Sequence, residues 1–360
     1  MDKHDIAHWR LHNLRLEGAP LPTPEAAVGW LGAVQSQDFA PAKWSLAQRT
    51  PGAGDAAVDR AFADGAILRT HLLRPTWHFV SPAEIRWLLA LTAPRVHALN
   101  AYYYRQLGLD DATFQRSDAV LAGALQGGAQ LTRKQLAAAL EGAGVGLGGF
   151  RLAYLLMHAE LDGIVCSGTP RGKQQTYALL EERAPQAAPL PREQALAELT
   201  VRYFTSHGPA TVKDFGWWSS LTAADIRQGL ELAGSRLRRE AVDGVDYWFA
   251  GSPPPTRPAS PTVHLLQGYD EYLVGYSQSK SVLNLAGRTL LQTRPVFNGA
   301  AILDGQLVGH WKRTVGRDTV AFEVALYEPF DDAQTKALRA AADRHGEFLG
   351  LAATVATTVI

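Results

Sequence analysis

Gln35 and Gln37 stand one residue apart in Val34-Gln35-Ser36-Gln37-Asp38, after an apolar stretch and just before Ala40-Pro41. A carboxamide does not ionise, so neither glutamine can be a general base. Each can donate and accept hydrogen bonds at once, which suits holding a water or a polar ligand. The competing reading is a pair of solvated polar residues at a helix end. Asp38, beside Gln37, is a candidate acid. Asp270 and Glu271 form a carboxylate pair. In a strand they would face opposite sides, so at most one serves a given cleft while the other can pair with an arginine. His71 and His78 flank a pair of strand-like runs that also carries Arg69 and Arg74.

Other chemistries lack their residues. His4, His8 and His12 share a helix face, but no further donor follows at zinc-ligand spacing, so no metal site and no cofactor are expected. The glycine-rich stretch 142–149 lacks the Lys-Ser/Thr ending of a phosphate loop and the strand before it. No Gly-x-Ser-x-Gly elbow occurs. The single cysteine, Cys166, excludes an internal disulfide framework.

Elements that could position these residues follow a recurring order of helices and then a short hairpin. In the first copy, helices are expected over 5–16, 25–35, 42–48 and 56–63. Strand-like runs follow at 67–70 and 76–80, and then helices at 82–104 and 117–125. The second copy opens with Thr132 as a helix N-cap, turns at 142–149, and continues with a helix over 150–161. Its hairpin strands lie at 163–166 and 176–179, around a basic tip. The third copy follows a proline-rich linker at 184–191. Its helices are expected over 193–205, 211–218 and 222–232, and its hairpin turns at Asp243-Gly244.

Helix-turn-helix followed by a two-stranded wing is the winged-helix unit. The expected fold is therefore α+β, mainly α, with three tandem winged-helix motifs and a C-terminal α+β segment. The corresponding divisions are 1–115, 116–185, 186–252 and 253–360. In the last, Asp304-Gly305 is a hairpin turn signal, and a helix over 333–349 closes the chain.

Hydrophobic residues make up 46% of the chain, a globular composition, and Lys+Arg 35 balance Asp+Glu 35. The charge is segregated. Residues 65–105 hold Arg69, Arg74, Arg86, Arg95 and Arg105 against Glu84 alone. Residues 280–317 hold Lys280, Arg288, Arg294, Lys312, Arg313 and Arg317 against Asp304 alone. One basic face would produce this pattern. Without an apolar leader or membrane-length segment, a cytoplasmic protein with no membrane partner is expected.

Winged helices usually read DNA through a helix in the major groove. The second-copy helix, with Arg151, Tyr154 and His158, is a poor reader, and the third-copy helix is nearly neutral. A DNA-binding regulator and a protein-interaction scaffold are both weaker accounts than scaffolding for chemistry.

Stretches 31–49, 68–95 and 265–276 resemble the AlkZ/YcaQ family of bacterial winged-helix DNA glycosylases. The matching residues are Val34-Gln35-Ser36-Gln37-Asp38, Arg69-Thr70-His71, Arg74-Pro75-Thr76-Trp77-His78-Phe79-Val80 and Tyr269-Asp270-Glu271-Tyr272. Gln37 fits the Gln-x-Gln motif of the AlkZ-like branch, and Ser36 departs from the apolar residue often found between the glutamines. The resemblance implies a C-shaped scaffold with a basic concave channel. It implies a monofunctional enzyme that excises N7-alkylated guanine from double-stranded DNA and unhooks interstrand crosslinks, with self-resistance to agents such as azinomycin B. Gln35 and Gln37 would be catalytic, supported by Asp38, Asp270 or Glu271. Arg69, His71, Arg74 and His78 would contact phosphates beside them, and Arg288 and Arg294 would reach the duplex from a hairpin or loop. The protein is expected to act as a monomer.

Overall fold

The structure is a computed structural model that describes residues 1–251, 260–287 and 299–360. Helix α1 (Lys3–Asn13) starts at a reciprocal cap between Asp2 and Asp5. Helix α2 (Pro24–Leu31) starts at Thr23 with proline in its first turn, where the missing N–H costs nothing. It ends at Leu31, not at 35, because Gly32 takes φ 81°, which turns the chain out of the helix. Helical periodicity carries on through Val34, but tertiary pairing overrides it. Val34–Gln35 is a short strand, β1, with Val34 opposite Phe79 and Gln35 opposite His78. The glutamines therefore sit on a sheet edge and the loop beyond it, not on a helix.

Helices α3 (Phe39–Ala47) and α4 (Asp55–Ala63) follow, then the hairpin of β2 (Leu68–Leu72) and β3 (Thr76–Val80). The sheet order is β1-β3-β2. All five residues of β2 are buried, because both faces are covered. Helix α5 (Ile85–Gln106) then leads to α6 (Asp111–Leu125), whose start lies well before residue 117.

The same order recurs twice. Strand β4 (Leu131–Thr132), helices α7 (Arg133–Gly142) and α8 (Arg151–Leu161), and strands β5 (Val165–Arg171) and β6 (Gln174–Leu179) make a sheet of order β4-β6-β5. Thr132 caps α7 through Gln135, as its spacing predicts. After the short α9 (Leu180–Arg183) come α10 (Arg192–Ser206), α11 (Val212–Ser219), α12 (Ala223–Ala233) and the hairpin of β7 (Arg238–Val242) and β8 (Val245–Phe249). Ala210 bridges to Trp248 where the first two copies have a short strand.

The C-terminal region is a five-stranded sheet of order β13-β12-β11-β10-β9. Its elements are β9 (Val263–Leu266), the one-turn helix α13 (Glu271–Val274), β10 (Gly299–Leu303), β11 (Gln306–Val315), β12 (Thr319–Leu326), α14 (Asp332–Leu349) and β13 (Ala352–Val359). Asp304 and Gly305 turn β10 into β11 with φ 48° and 80°, the left-handed pair that a tight hairpin requires. Strand β13 is parallel to β12, with α14 as the crossover. Its threonines and valines suit a strand, although the sequence analysis expects none after the closing helix.

Leu31, Val34, Trp44 and Phe79 share one hydrophobic core with Leu266, Tyr272, Ile302 and Phe348. The C-terminal sheet thus packs on the unit that carries the glutamines. Among the described residues, no helix is long and apolar enough to cross a membrane.

Candidate active site

Gln35 is buried, with 5% of its surface exposed. Its Oε1 accepts a 2.7 Å hydrogen bond from the Arg74 guanidinium, which settles which end of the amide is oxygen. Its backbone N–H donates to Glu271 Oε1 at 2.8 Å. Gln37 is half-buried, and its Oε1 accepts from the Trp77 N–H at 3.3 Å. Ser36 donates its N–H to the Trp77 carbonyl at 2.7 Å, so the whole motif is stitched to β3. Neither glutamine Nε2 has a hydrogen-bond partner among the described residues. Each amide is thus held by its oxygen, with its nitrogen available.

Phosphate contacts by Arg69, His71, Arg74 and His78 do not match their placement, since their exposures are 4%, 4%, 9% and 0%. Arg69 instead donates to the Ser36 carbonyl from Nε (3.1 Å) and Nη2 (3.0 Å), and its guanidinium lies 4.6 Å over the Trp77 ring. Burial lowers its pKa to about 10, against the raising charge of Glu160. His71 Nδ1 bonds Glu160 Oε2, and Trp77 donates from Nε1 to Glu160 Oε1 at 3.1 Å. His78 contacts the Thr76 carbonyl through Nδ1, and its Nε2 is buried with no partner among the described residues. Burial, with the nearby Arg74 charge, lowers its pKa to about 3, so the ring is neutral. Arg69, His71, Arg74 and His78 thus form a buried layer behind the glutamines.

Asp270 and Glu271 lie at the start of α13 rather than in a strand, and both are fully buried. Asp270 caps the helix and forms a two-point pair with Arg49, at 2.8 and 2.9 Å. The arginine-pairing alternative for this carboxylate is the one observed. Glu271 accepts from Gln35 N–H, from Trp218 Nε1 at 2.9 Å, and faces His207 Nε2 at 3.3 Å. Burial pushes Glu271 toward its neutral form, but the His207 contact and the Gln35 N–H outweigh it and keep the carboxyl below its usual range. Neither acid can reach a substrate.

Asp38 is the exposed member of the set and makes no cap hydrogen bond. It lines a cavity of about 220 Å³ with Trp44, Tyr269, Trp311, Lys312 and His345. Arg288 and Arg294 lie outside the described residues. Of the second basic stretch, Lys312 pairs with Glu323 at 2.9 Å, and Arg313 bonds His345.

Four residues of the site carry no sequence signal of their own. Glu160 and Trp218 lie on α8 and α11 and His207 just past the end of α10, all far along the chain. Arg49 sits in the turn after α3, and nothing local marks any of them. Among the described residues, the potential ligands that come together are His97, His158 and Asp162, not His4, His8 and His12.

A sheet edge and adjoining loop that present two oriented carboxamides, backed by buried charge, suit the positioning of a water. The family model described as DNA glycosylase AlkZ-like matches residues 28–348. The interstrand DNA cross-link repair glycosylase of Streptomyces sahachiroi is 25% identical over 353 residues, covering 92% of this chain and 91% of its own. The solved structure of Streptomyces sahachiroi DNA glycosylase AlkZ shares the fold, with a TM-score of 0.82 at 22% identity over 100% of both chains. A family match that runs from α2 into α14, and so over most of the molecule, places this chain in the AlkZ-like family of DNA glycosylases.

Proposed function

We propose that this glycosylase hydrolyses the N-glycosidic bond of N7-alkylguanine in duplex DNA, including guanines tied into an interstrand crosslink, and that Gln35 and Gln37 hold the attacking water. The carrying observation is the orientation of the two amides, fixed through Arg74 and the Trp77 N–H. The cross-link relative supports the substrate class.

Alkylation at N7 makes the base cationic, so it departs readily through an oxocarbenium-like sugar. Leaving-group protonation is then unnecessary, and a strong base adds little when the barrier is already low. Gln35, whose oxygen is taken up by Arg74, offers its Nε2 donor to the water. Gln37, more exposed, offers the second lone pair of Oε1. The buried Glu271 carboxylate behind Gln35 favours positive charge developing in front of it.

A base tied to the opposite strand cannot swing freely into a closed pocket, as most glycosylases require. The motif ends at the half-buried Gln37 and exposed Asp38, which suits an open groove. The three repeated helix–hairpin units are read as winged helices arranged as a C-shaped scaffold around the duplex, with the divisions 1–115, 116–185, 186–252 and 253–360. The enzyme acts as a monomer, with Asp38 at the groove and Asp270 and Glu271 supporting from within.

Duplex DNA containing N7-methylguanine tests this, with abasic sites as the readout. Wild-type protein should release the base above the spontaneous rate. Gln37→Ala should lose roughly 10²–10³-fold, as for removal of one oriented transition-state contact, and Gln35→Ala a similar factor. Full activity in the double variant would sink the catalytic assignment.

A further inference from the structure

We propose that His97, Asp118, His158 and Asp162 form a zinc-class metal site that fastens α5, α6 and α8 to one another. The four residues come from three helices. His97 lies on α5 and Asp118 on α6, while His158 and Asp162 lie at i and i+4 at the end of α8. That spacing puts the last two on one helix face.

One ligand atom each from His97, His158 and Asp162 fall within 4.8 Å of one another. His97 Nε2 is 2.9 Å from Asp162 Oδ1, and His158 Nδ1 is 3.6 Å from Asp162 Oδ2 and 3.7 Å from Asp118 Oδ2. A tetrahedral zinc with ligands at 2.0–2.1 Å separates its donor atoms by about 3.3 Å. These three spacings lie on either side of that value, with Asp118 reaching the group through its approach to His158. Two imidazoles with two carboxylates are a donor set that suits a borderline divalent ion.

A second observation points inward to the same spot. His158 Nδ1 and Asp118 Oδ1 are both buried and have no hydrogen-bond partner among the described residues. Buried polar atoms left unpaired in this way are costly unless something binds them, and His158 Nδ1 is the one that faces both carboxylates, through their Oδ2 atoms. Among the described residues, no lysine or arginine forms an ion pair with Asp118 or Asp162.

The rings are also held in place from outside. Tyr104 Oη is 3.0 Å from His97 Nδ1, the nitrogen turned away from the cluster, as outer partners of metal-bound histidines usually are. His158 stacks on Phe114 at 3.7 Å between ring centroids. Asp162, 42% exposed at its side chain, leaves an entry for the ion.

The site would also reach the glutamine layer mechanically. Helix α8 carries His158 toward the cluster, while Glu160 on its other side bonds His71 and Trp77. An ion that clamps α8 would hold Glu160 against β2 and β3.

Full-length protein, stripped with a chelator and then given Zn²⁺ and dialysed, should retain one equivalent per chain by elemental analysis. Its thermal midpoint should rise, and Co²⁺ in place of Zn²⁺ should give the visible bands of a tetrahedral site. His97→Ala and the near-isosteric Asp118→Asn, each checked for folding by circular dichroism, should lose all three signals. His4→Ala/His12→Ala should keep them. The proposal is overturned if wild-type protein retains no stoichiometric zinc, or if zinc is retained unchanged in both cluster variants. It is equally overturned if the His4/His12 variant is the one that loses the ion.

Discussion

The Arg74 guanidinium donates a 2.7 Å hydrogen bond to Gln35 Oε1, and this contact fixes the orientation of the amide. Arg74 also lies 5.5 Å over the Trp217 ring and reaches the Val274 carbonyl, so its own position is held from two sides. Its charge is used inside the protein to orient a neutral residue.

Arg74→Ala should leave the Gln35 amide free to rotate. Misplacement of a positioned group costs on the order of 10²-fold in rate. Single-turnover release of N7-methylguanine should fall by about that factor, with DNA affinity nearly unchanged. A large loss of affinity with intact chemistry would return Arg74 to a phosphate-binding role.

Asp270→Asn keeps the shape and an oxygen for the α13 cap, but it leaves Arg49 buried without its counter-charge. Breaking a buried pair from one side costs about 3–5 kcal/mol. Urea unfolding should show a loss of that order. Asp38→Asn, at an exposed side chain with no cap bond, should stay within about 0.5 kcal/mol of wild type.

Acid should destabilise the protein from near pH 6.5 downward. The folded pKa of His78 lies at about 3 because burial disfavours its charged form, while the unfolded chain takes up the proton at its ordinary value near 6.5. Between these values the unfolded state binds more protons, so stability falls as pH falls. For His78 this loss reaches about 2 kcal/mol by pH 5. His345, lowered to about 2 by burial and by the Arg313 charge, adds a loss of the same sign. Glu271, held below its usual range, stabilises above the unfolded carboxyl pKa and loses this only in stronger acid. The urea midpoint should drop between pH 7.5 and 5 in wild type and drop less in His78→Gln. Equal slopes would show that His78 protonates freely in the folded state.

Lys43, the lysine nearest the motif in sequence, is buried and paired with Asp55 and Asp59, both at 2.8 Å. A lysine buried with its Nζ engaged by two carboxylates is not presented to a sugar as a Schiff-base nucleophile. Excision should therefore leave an unbroken abasic strand, cleaved only by later alkali, and borohydride should trap no protein–DNA adduct. A trapped adduct that disappears in Lys43→Ala would overturn this.

Much of the architecture was legible from local chemistry. Thr132 with Gln135 announces the start of α7, and Asp304-Gly305 announces the β10–β11 turn, because caps and tight turns use side chains within a few residues of one another. The glutamine motif and its Arg-Pro-Thr-Trp-His neighbour are likewise contiguous in sequence, and they carry the family resemblance. What could not be read locally was direction. Whether β1 is a strand or the last turn of α2 depends on β3, some forty residues on. Arginines and histidines read as surface charges were drawn inward, because Glu160, Gln35 and the Ser36 carbonyl offered partners that no local pattern reveals. The sequence alone singled out two carboxamides, Gln35 and Gln37, as candidates to orient a water without a base. Only the tertiary structure decided which charges hold those residues, because burial and ion pairing depend on contacts between segments far apart in the chain.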